Sequence, residues 1–334
     1  MPHFRWTILA LALAVAAPLS AQSSDTAAVA RGRTLTRLLL AGQGDSLAPM
    51  ITPDFAARLG GPAGLTAFAG RIREQGGAEG DVVRELVFHE RGRVTYYRVS
   101  RFSTAPVPLT TRWVWGADGR VLGMQVSPTP EAAATEHAAY QTKSRLRLPF
   151  DGEWLVVWGG RTPEANYHVI APDQRFAYDL VALRGGATMT GEGKANEDYA
   201  CWGAPIFAPA AGLVVVALDS VADNVPGTRN SAMAAGNHVV IDHGNGEFSF
   251  LAHLRRGSVA VKPGARVAAG AQLGVCGNSG NSTQPHLHYH LQNGSKFGEG
   301  AGLPAAFNDY RADDVAVPRG EPSRGERIST APRR

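Results

Sequence analysis

Pro285-His286-Leu287-His288-Tyr289-His290-Leu291 alternates imidazoles with apolar side chains. Successive side chains of a β-strand point to opposite faces, so this period of two sets Leu287, Tyr289 and Leu291 on one face and the three histidines on the other. The apolar face belongs to a core. Three histidines along one strand face are poor packing material and need another reason. Two imidazoles ~7 Å apart on a strand can serve one site, one as a metal ligand and its neighbour as a proton-handling group. A Gly/Asn/Ser loop, Gly277 to Gln284, leads into this strand.

A metal needs more ligands, and the upstream run Asn166 to Leu180 supplies them. It reads as a hairpin with a two-residue turn at Asp173-Gln174, which sets His168 directly opposite Asp179 with Cβ atoms ~4.5–5.5 Å apart. An imidazole and a carboxylate held in this way suit zinc, and His288 completes a three-ligand set with one position open. The bland reading of the pair alone is a cross-strand ion pair. His238 and His243 read as structural, bonded to turn backbone, and His290 as lining a groove.

The chain has 334 residues, 44% hydrophobic and 19% charged, which excludes bulk disorder and suggests two domains or one large one. Its net charge of +4 comes mostly from arginine and is scattered, with no basic helix, so nucleic acid is not an expected partner. Two cysteines exclude a disulfide scaffold and a cysteine-rich zinc cluster. Residues 1–21 read as a secretory signal peptide: His3 and Arg5, an apolar run from Trp6 to Ala17 too short to span a bilayer, then small residues. No other window is long and apolar enough to cross a membrane, so the protein is expected to be exported to the periplasm, the cell envelope or the medium. In such an oxidising compartment Cys201 and Cys276 could pair as a disulfide or stay as two buried thiols.

Residues 25–128 read as an α+β accessory domain, helices first and an antiparallel sheet after. Leucines at helical spacing occupy Ala27 to Leu40, Thr52-Pro53-Asp54 opens a short helix, and Gly64 to Gln75 forms a third. Strands follow at Val82–His89, Arg93–Phe102, Pro108–Trp115 and Arg120–Val126, with Asp118-Gly119 as a hairpin turn. This order is similar to the cone-shaped fold of nuclear-transport-factor-type domains. His89 and Glu90 are read as solvated, and the domain as one that positions or binds. Residues 129–145 read as a linker, partly helical; 146–310 as an antiparallel all-β domain; and 315–334, with five arginines and few apolar residues, as a disordered basic tail.

Trp202 to Leu291 closely resembles the catalytic domain of lysostaphin-type, LytM-like zinc metallopeptidases, which are peptidoglycan endopeptidases. The matching pieces are Gly203 to Val214, Gly236 to Gly244, Phe250 to Leu254, Val261 to Gly264, Val267 to Gly270 and the Gly-Asn-Ser loop with Pro285 to His288. The resemblance implies zinc held by His168, Asp179 and His288, with His253 and His286 as the assisting catalytic histidines. The family's familiar first motif places its histidine and aspartate four residues apart on one strand, whereas His168 and Asp179 stand eleven apart. Peptidoglycan peptide is the implied substrate, cut by metal-assisted amide hydrolysis. With no glutamate in a His-Glu-x-x-His helix, a histidine must carry the proton; His286 reads as the base and His253 as the oxyanion stabiliser. The loop Asp219 to Gly236 is expected to wall the groove. The rival reading is an inactive, wall-binding member that activates another hydrolase; an intramolecular contact between accessory and catalytic domains is left open.

Overall fold

The computed structural model describes residues 19–90 and 92–330, and the segment read as a signal peptide lies outside them up to Pro18. The chain divides into two units, one ending at Thr129 and the other starting at Pro130.

In the first unit the helices are α1 (Leu19–Leu40), α2 (Gly44–Leu47), α3 (Pro53–Arg58) and α4 (Gly61–Gly76). The strands β1 (Glu79–Glu90), β2 (Arg93–Phe102), β3 (Leu109–Trp115) and β4 (Val121–Pro128) form one antiparallel sheet in that order. Helix α1 follows its leucine spacing: Leu35 and Leu39 are buried in one cluster with Tyr96 and Trp113. The Trp113 indole N–H, which burial obliges to find an acceptor, donates to Thr36 Oγ1 at 3.0 Å. Pro53 opens α3 as expected, although the Thr52 hydroxyl makes no capping bond. Gly119 takes φ 77° in the turn between β3 and β4, and Asp118 Oδ1 accepts from Arg120 N. His89 stays at the surface and meets Asp25 at 3.0 Å.

The second unit contains no α-helix among its described residues. Its strands begin with β5 (Glu153–Trp158), β6 (Tyr178–Ala182), β7 (Pro205–Phe207), β8 (Gly212–Leu218) and β9 (Asn237–Asp242). They continue with β10 (Phe248–Leu254), β11 (Arg266–Val267), β12 (Gln272–Val275), β13 (Leu287–Gln292) and β14 (Gly302–Leu303). The last three are β15 (Phe307–Ala312), β16 (Val315–Gly320) and β17 (Arg327–Thr330). Eleven of them form one sheet, β11-β8-β9-β10-β13-β6-β5-β17-β15-β16 with β14 beside β13, while β7 and β12 pair separately. The histidine strand β13 lies between β10 and β6, and Leu287, Tyr289 and Leu291 enter the core, as their period of two requires. Cys201 and Cys276 form a disulfide, Cα atoms 5.8 Å apart.

Three expectations need correction. The segment 130–145 has no helix and is no free linker. The Glu247 carboxylate accepts from the Tyr140 hydroxyl at 2.9 Å and from the Lys143 and Ser144 amides at 2.5 and 2.8 Å, while buried Thr142 donates to Pro304 O. The all-β unit does not end at 310, because β15 runs on to Ala312. The basic tail is not disordered over its described part: β17 pairs with both β5 and β15, and Ile328 is fully buried. Its Arg324 is buried too, 4.3 Å from the Trp158 ring centroid and donating to Glu164 O at 2.6 Å, so an arginine counted as solvated serves the interior.

Candidate active site

Four of the five site residues expected from the sequence are buried side by side, and the fifth, His286, is half-buried at their edge. Strand register places most of them. His288 on β13 pairs with Asp179 on β6 and with Ala252 on β10, so three adjacent strands deliver His288, Asp179 and His253 to one spot. The carboxylate Oδ1 of Asp179 lies 3.0 Å from His288 Nδ1, 3.5 Å from His168 Nε2 and 3.6 Å from His286 Nε2. The Tyr167 hydroxyl donates to Oδ2 at 3.2 Å. Ligand atoms of His168, Asp179 and His288 all lie within 4.8 Å of one another.

The hairpin expected between His168 and Asp179 is absent. His168 sits in a 3-10 turn, Tyr167–Ile170, and Asp179 is registered against His288. Asn166 is the cause: at the turn's N-cap its side chain accepts from His168 N, which starts a local hydrogen-bond pattern instead of a cross-strand one. Asp173 is likewise no exposed turn residue; it is buried and accepts from Gly298 N at 2.9 Å.

His253 is delivered by a bulge. The β10–β9 register shifts between Leu251 and Leu254, and His253 takes φ 63°, a left-handed conformation uncommon outside glycine. Strain of this sort persists where surrounding structure over-determines it. Here the His253 amide donates to Ala235 O, and His253 Nδ1 lies 2.8 Å from Ser279 O. Gly236 and Gly280 make the close approach possible: a Cβ on Gly236 would stand 2.4 Å from Ser279 O, and both glycines have positive φ.

Hydrogen bonds fix the tautomers. Asn166 Nδ2 donates to Gly160 O and Ala177 O, so its Oδ1 faces His168 Nδ1 as an acceptor at 2.9 Å and leaves the His168 Nε2 lone pair toward Asp179. A longer relay sets His288. Gln292 Nε2 is surrounded by the carbonyls of Gly294, Lys296 and Glu299, so its Oε1 accepts from His290 Nε2 at 3.2 Å. Neutral His290 then accepts at Nδ1 from His288 Nε2 at 2.9 Å, which turns the His288 Nδ1 lone pair to Asp179. His290 therefore does not line a groove: it is fully buried and stacked on Phe250 at 4.5 Å. His238 and His243 have the expected structural roles, bonded to Gly236 O and Ala211 O.

The electrostatics agree. Burial opposes ionisation of Asp179, yet the imidazoles of His168, His286 and His288 hold its carboxyl well below the usual range. Burial pushes His168 down to about 3, outweighing the pull of Asp179, and pushes His253 well below its ordinary value. Asp179 is thus held as an anion beside imidazoles, of which buried His168 and His253 favour the neutral form, with no lysine or arginine paired to it among the described residues. Converging lone pairs and one negative charge are a donor set for a divalent cation, and two nitrogens with one oxygen fit zinc. His253 and His286 border that set, ring centroids 4.7 Å from each other. His286 Nδ1 faces Gln284 O at 2.9 Å, so both imidazoles, when neutral, turn an Nε2 lone pair inward. Sequence reasoning missed Tyr167, Asn166, Gln292 and the part played by His290; the continued alternation from His288 through His290 to Gln292 was the available signal for the relay.

Residues 195–298 match Peptidase family M23. Over 89 residues the chain is 39% identical to the peptidoglycan DD-endopeptidase ShyA of Vibrio cholerae, covering 27% of this chain and 17% of that protein. Over 72 residues it is 35% identical to an uncharacterized metalloprotease of Buchnera aphidicola, covering 22% of this chain and 19% of the other. The chain thus spans less than a fifth of the length of these relatives. Among solved structures it is similar to the antimicrobial peptidase lysostaphin of Staphylococcus simulans, with 19% identity, a TM-score of 0.29 and coverage of 48% of this chain and 51% of that one. A zinc containing peptidase from Vibrio cholerae gives 18% identity and a TM-score of 0.27, over 64% of this chain and 58% of the other. Residues 195–298, inside the second unit, thus match Peptidase family M23, the lysostaphin-type, LytM-like family to which the sequence motifs pointed.

Proposed function

We propose that the protein is an exported zinc metalloendopeptidase that hydrolyses peptide bonds of peptidoglycan, in stem-peptide cross-links or interpeptide bridges. One observation carries the reading: His168, Asp179 and His288 present a buried ligand set, and His253 and His286 stand beside it. His168, Asp179 and His288 would hold the zinc, which when bound would supply a Lewis acid for the scissile carbonyl and a water ionisable near neutral pH. The chain's own groups do the rest. His286, the most exposed of the five, is assigned to accept the proton of the attacking water at Nε2. The proton that His286 takes is then delivered to the leaving amine, so the step ends with a new carboxyl group, a free amine and His286 ready to act again. His253, held by Ser279 O, is assigned to the oxyanion side. Tyr167 and Asn281 border the space above the cluster.

The inactive, wall-binding alternative is not favoured, since all five residues are kept and assembled. For the first unit, the order of helices followed by a four-stranded antiparallel sheet supports the cone-shaped comparison and a positioning or binding role. The test is incubation of the full chain with purified cross-linked peptidoglycan. Soluble fragments bearing new free amines should appear, stop on chelation and return with zinc. New reducing sugar ends, or no release, would contradict the proposal.

A further inference from the structure

Two cavities, about 260 and 210 Å³, touch the cluster through different residues, and both are bordered by Tyr167 and Asn281. Their linings differ in kind. The smaller touches His168, His253 and His288, and the rest of its lining is Ile170, Ala171, Ala234 and Phe297 with Gln174, and no lysine or arginine. The larger touches Asp179 and His286, and besides Val157 and Val181 its lining brings together Trp158, Thr283, Gln284 and Arg229.

Arg229 is the one lysine or arginine lining either cavity, and among the described residues no carboxylate pairs with it. The carboxylate in the same cavity, Asp179, lies against three imidazoles and accepts from Tyr167, and no ion pair joins it to Arg229. Arg229 does not ride on a loose loop. The residues around it are tied to the Gly-Asn-Ser loop: Gly227 N donates to Thr283 O, and Asn230 N to Gly280 O, each at 2.8 Å. Ser231 Oγ donates to Asn281 Oδ1 at 3.2 Å. An exposed guanidinium on a tied backbone, lining a cavity that also touches Asp179 and His286 and pairing with no carboxylate, suits a carboxylate brought by the ligand.

Building on the peptidase reading, we infer that the Arg229 cavity is a subsite for a free carboxylate on the substrate peptide, next to the scissile bond, while the other cavity takes a small uncharged side chain. Recognition is then polar on one side of the bond and apolar on the other. The substrate class is a peptide cross-link that keeps an unamidated carboxyl group beside the bond that is cut.

The test compares full-length, zinc-supplied protein on two matched preparations of cross-linked peptidoglycan peptides, one with free carboxylates and one with them amidated. Wild type should cleave the free form with kcat/KM at least about tenfold higher, the scale of one charge-assisted hydrogen bond, mainly through KM. In Arg229→Gln the difference between the two preparations should collapse, and Arg229→Lys should restore part of it. Equal cleavage of both by wild type, or a preference that survives in Arg229→Gln, overturns the carboxylate subsite and leaves the peptidase reading intact. Cleavage of neither by wild type overturns both.

Discussion

Each unit places a carboxylate on its sheet, and the two are answered in opposite ways. In the first unit, Glu85 on β1 is met by donors: Arg33 Nη2 at 2.5 Å, Arg98 Nη1 at 3.0 Å and the Tyr96 hydroxyl. Partial burial opposes its charge, but those hydrogen bonds draw its carboxyl down to about 2. In the second unit, Asp179 is met chiefly by imidazoles whose tautomers are set from behind, by Asn166 for His168 and by His290 and Gln292 for His288. A carboxylate surrounded by donors is finished and silent. One surrounded by lone pairs is complete only with a cation, and the difference separates a structural ion pair from a candidate metal centre.

The largest expected effect removes the second arrangement outright. Asp179→Ala or His288→Ala should reduce bound zinc from about one per chain to background and abolish hydrolysis, as read by metal analysis and fragment release. Full zinc occupancy in either variant would break the comparison. Next, His253→Ala and His286→Ala should keep zinc and lose ~10²–10⁴ in rate, because these imidazoles act on the proton and the oxyanion. Wild-type turnover would remove that residue from the mechanism.

A smaller effect sharpens the role of the relay. His290→Leu should weaken zinc binding about 10–100-fold in chelator competition, with His290→Gln recovering part of the loss because an amide can pass the same hydrogen bond along. Equal loss in both variants would make His290 a packing residue only. The smallest belongs to the first unit: Glu85→Gln should cost on the order of 1 kcal/mol after allowance for solvent screening, with zinc content unchanged. A carboxyl lowered on folding stabilises above its unfolded value of ~4.3, so the gap between wild type and variant should be full at neutral pH. It should shrink as pH falls toward about 2. A gap that widened in acid would contradict the Glu85 network.

What the sequence made legible follows the range of the forces involved. Alternation at Leu287, Tyr289 and Leu291 fixed the core face of β13, and leucine spacing marked α1, because both patterns are local. The resemblance named His253, but not the bulge and φ 63° that aim it, which depend on the Ser279 carbonyl of a distant loop. His168 does come close to Asp179 and His288, but from another element than the one expected: the N-cap bond of Asn166 diverts the backbone from the hairpin. The tail was misjudged for a related reason. Its composition is that of a solvated segment, yet β17 finds partners at Trp154 and Leu155, and Arg324 finds the face of Trp158, all more than 160 residues back along the chain. Composition counts residues and cannot see such pairings.

The central claim is that Asp179 shares a cation with His168 and His288. Anomalous diffraction at the zinc edge from crystals of the full chain tests it most directly. The account predicts one peak ~2.0–2.2 Å from His168 Nε2, an Asp179 carboxylate oxygen and His288 Nδ1, with His290 outside coordination distance. A crystal grown with zinc that shows no peak there, or a peak that leaves out His168 or is coordinated through His288 Nε2, would contradict it.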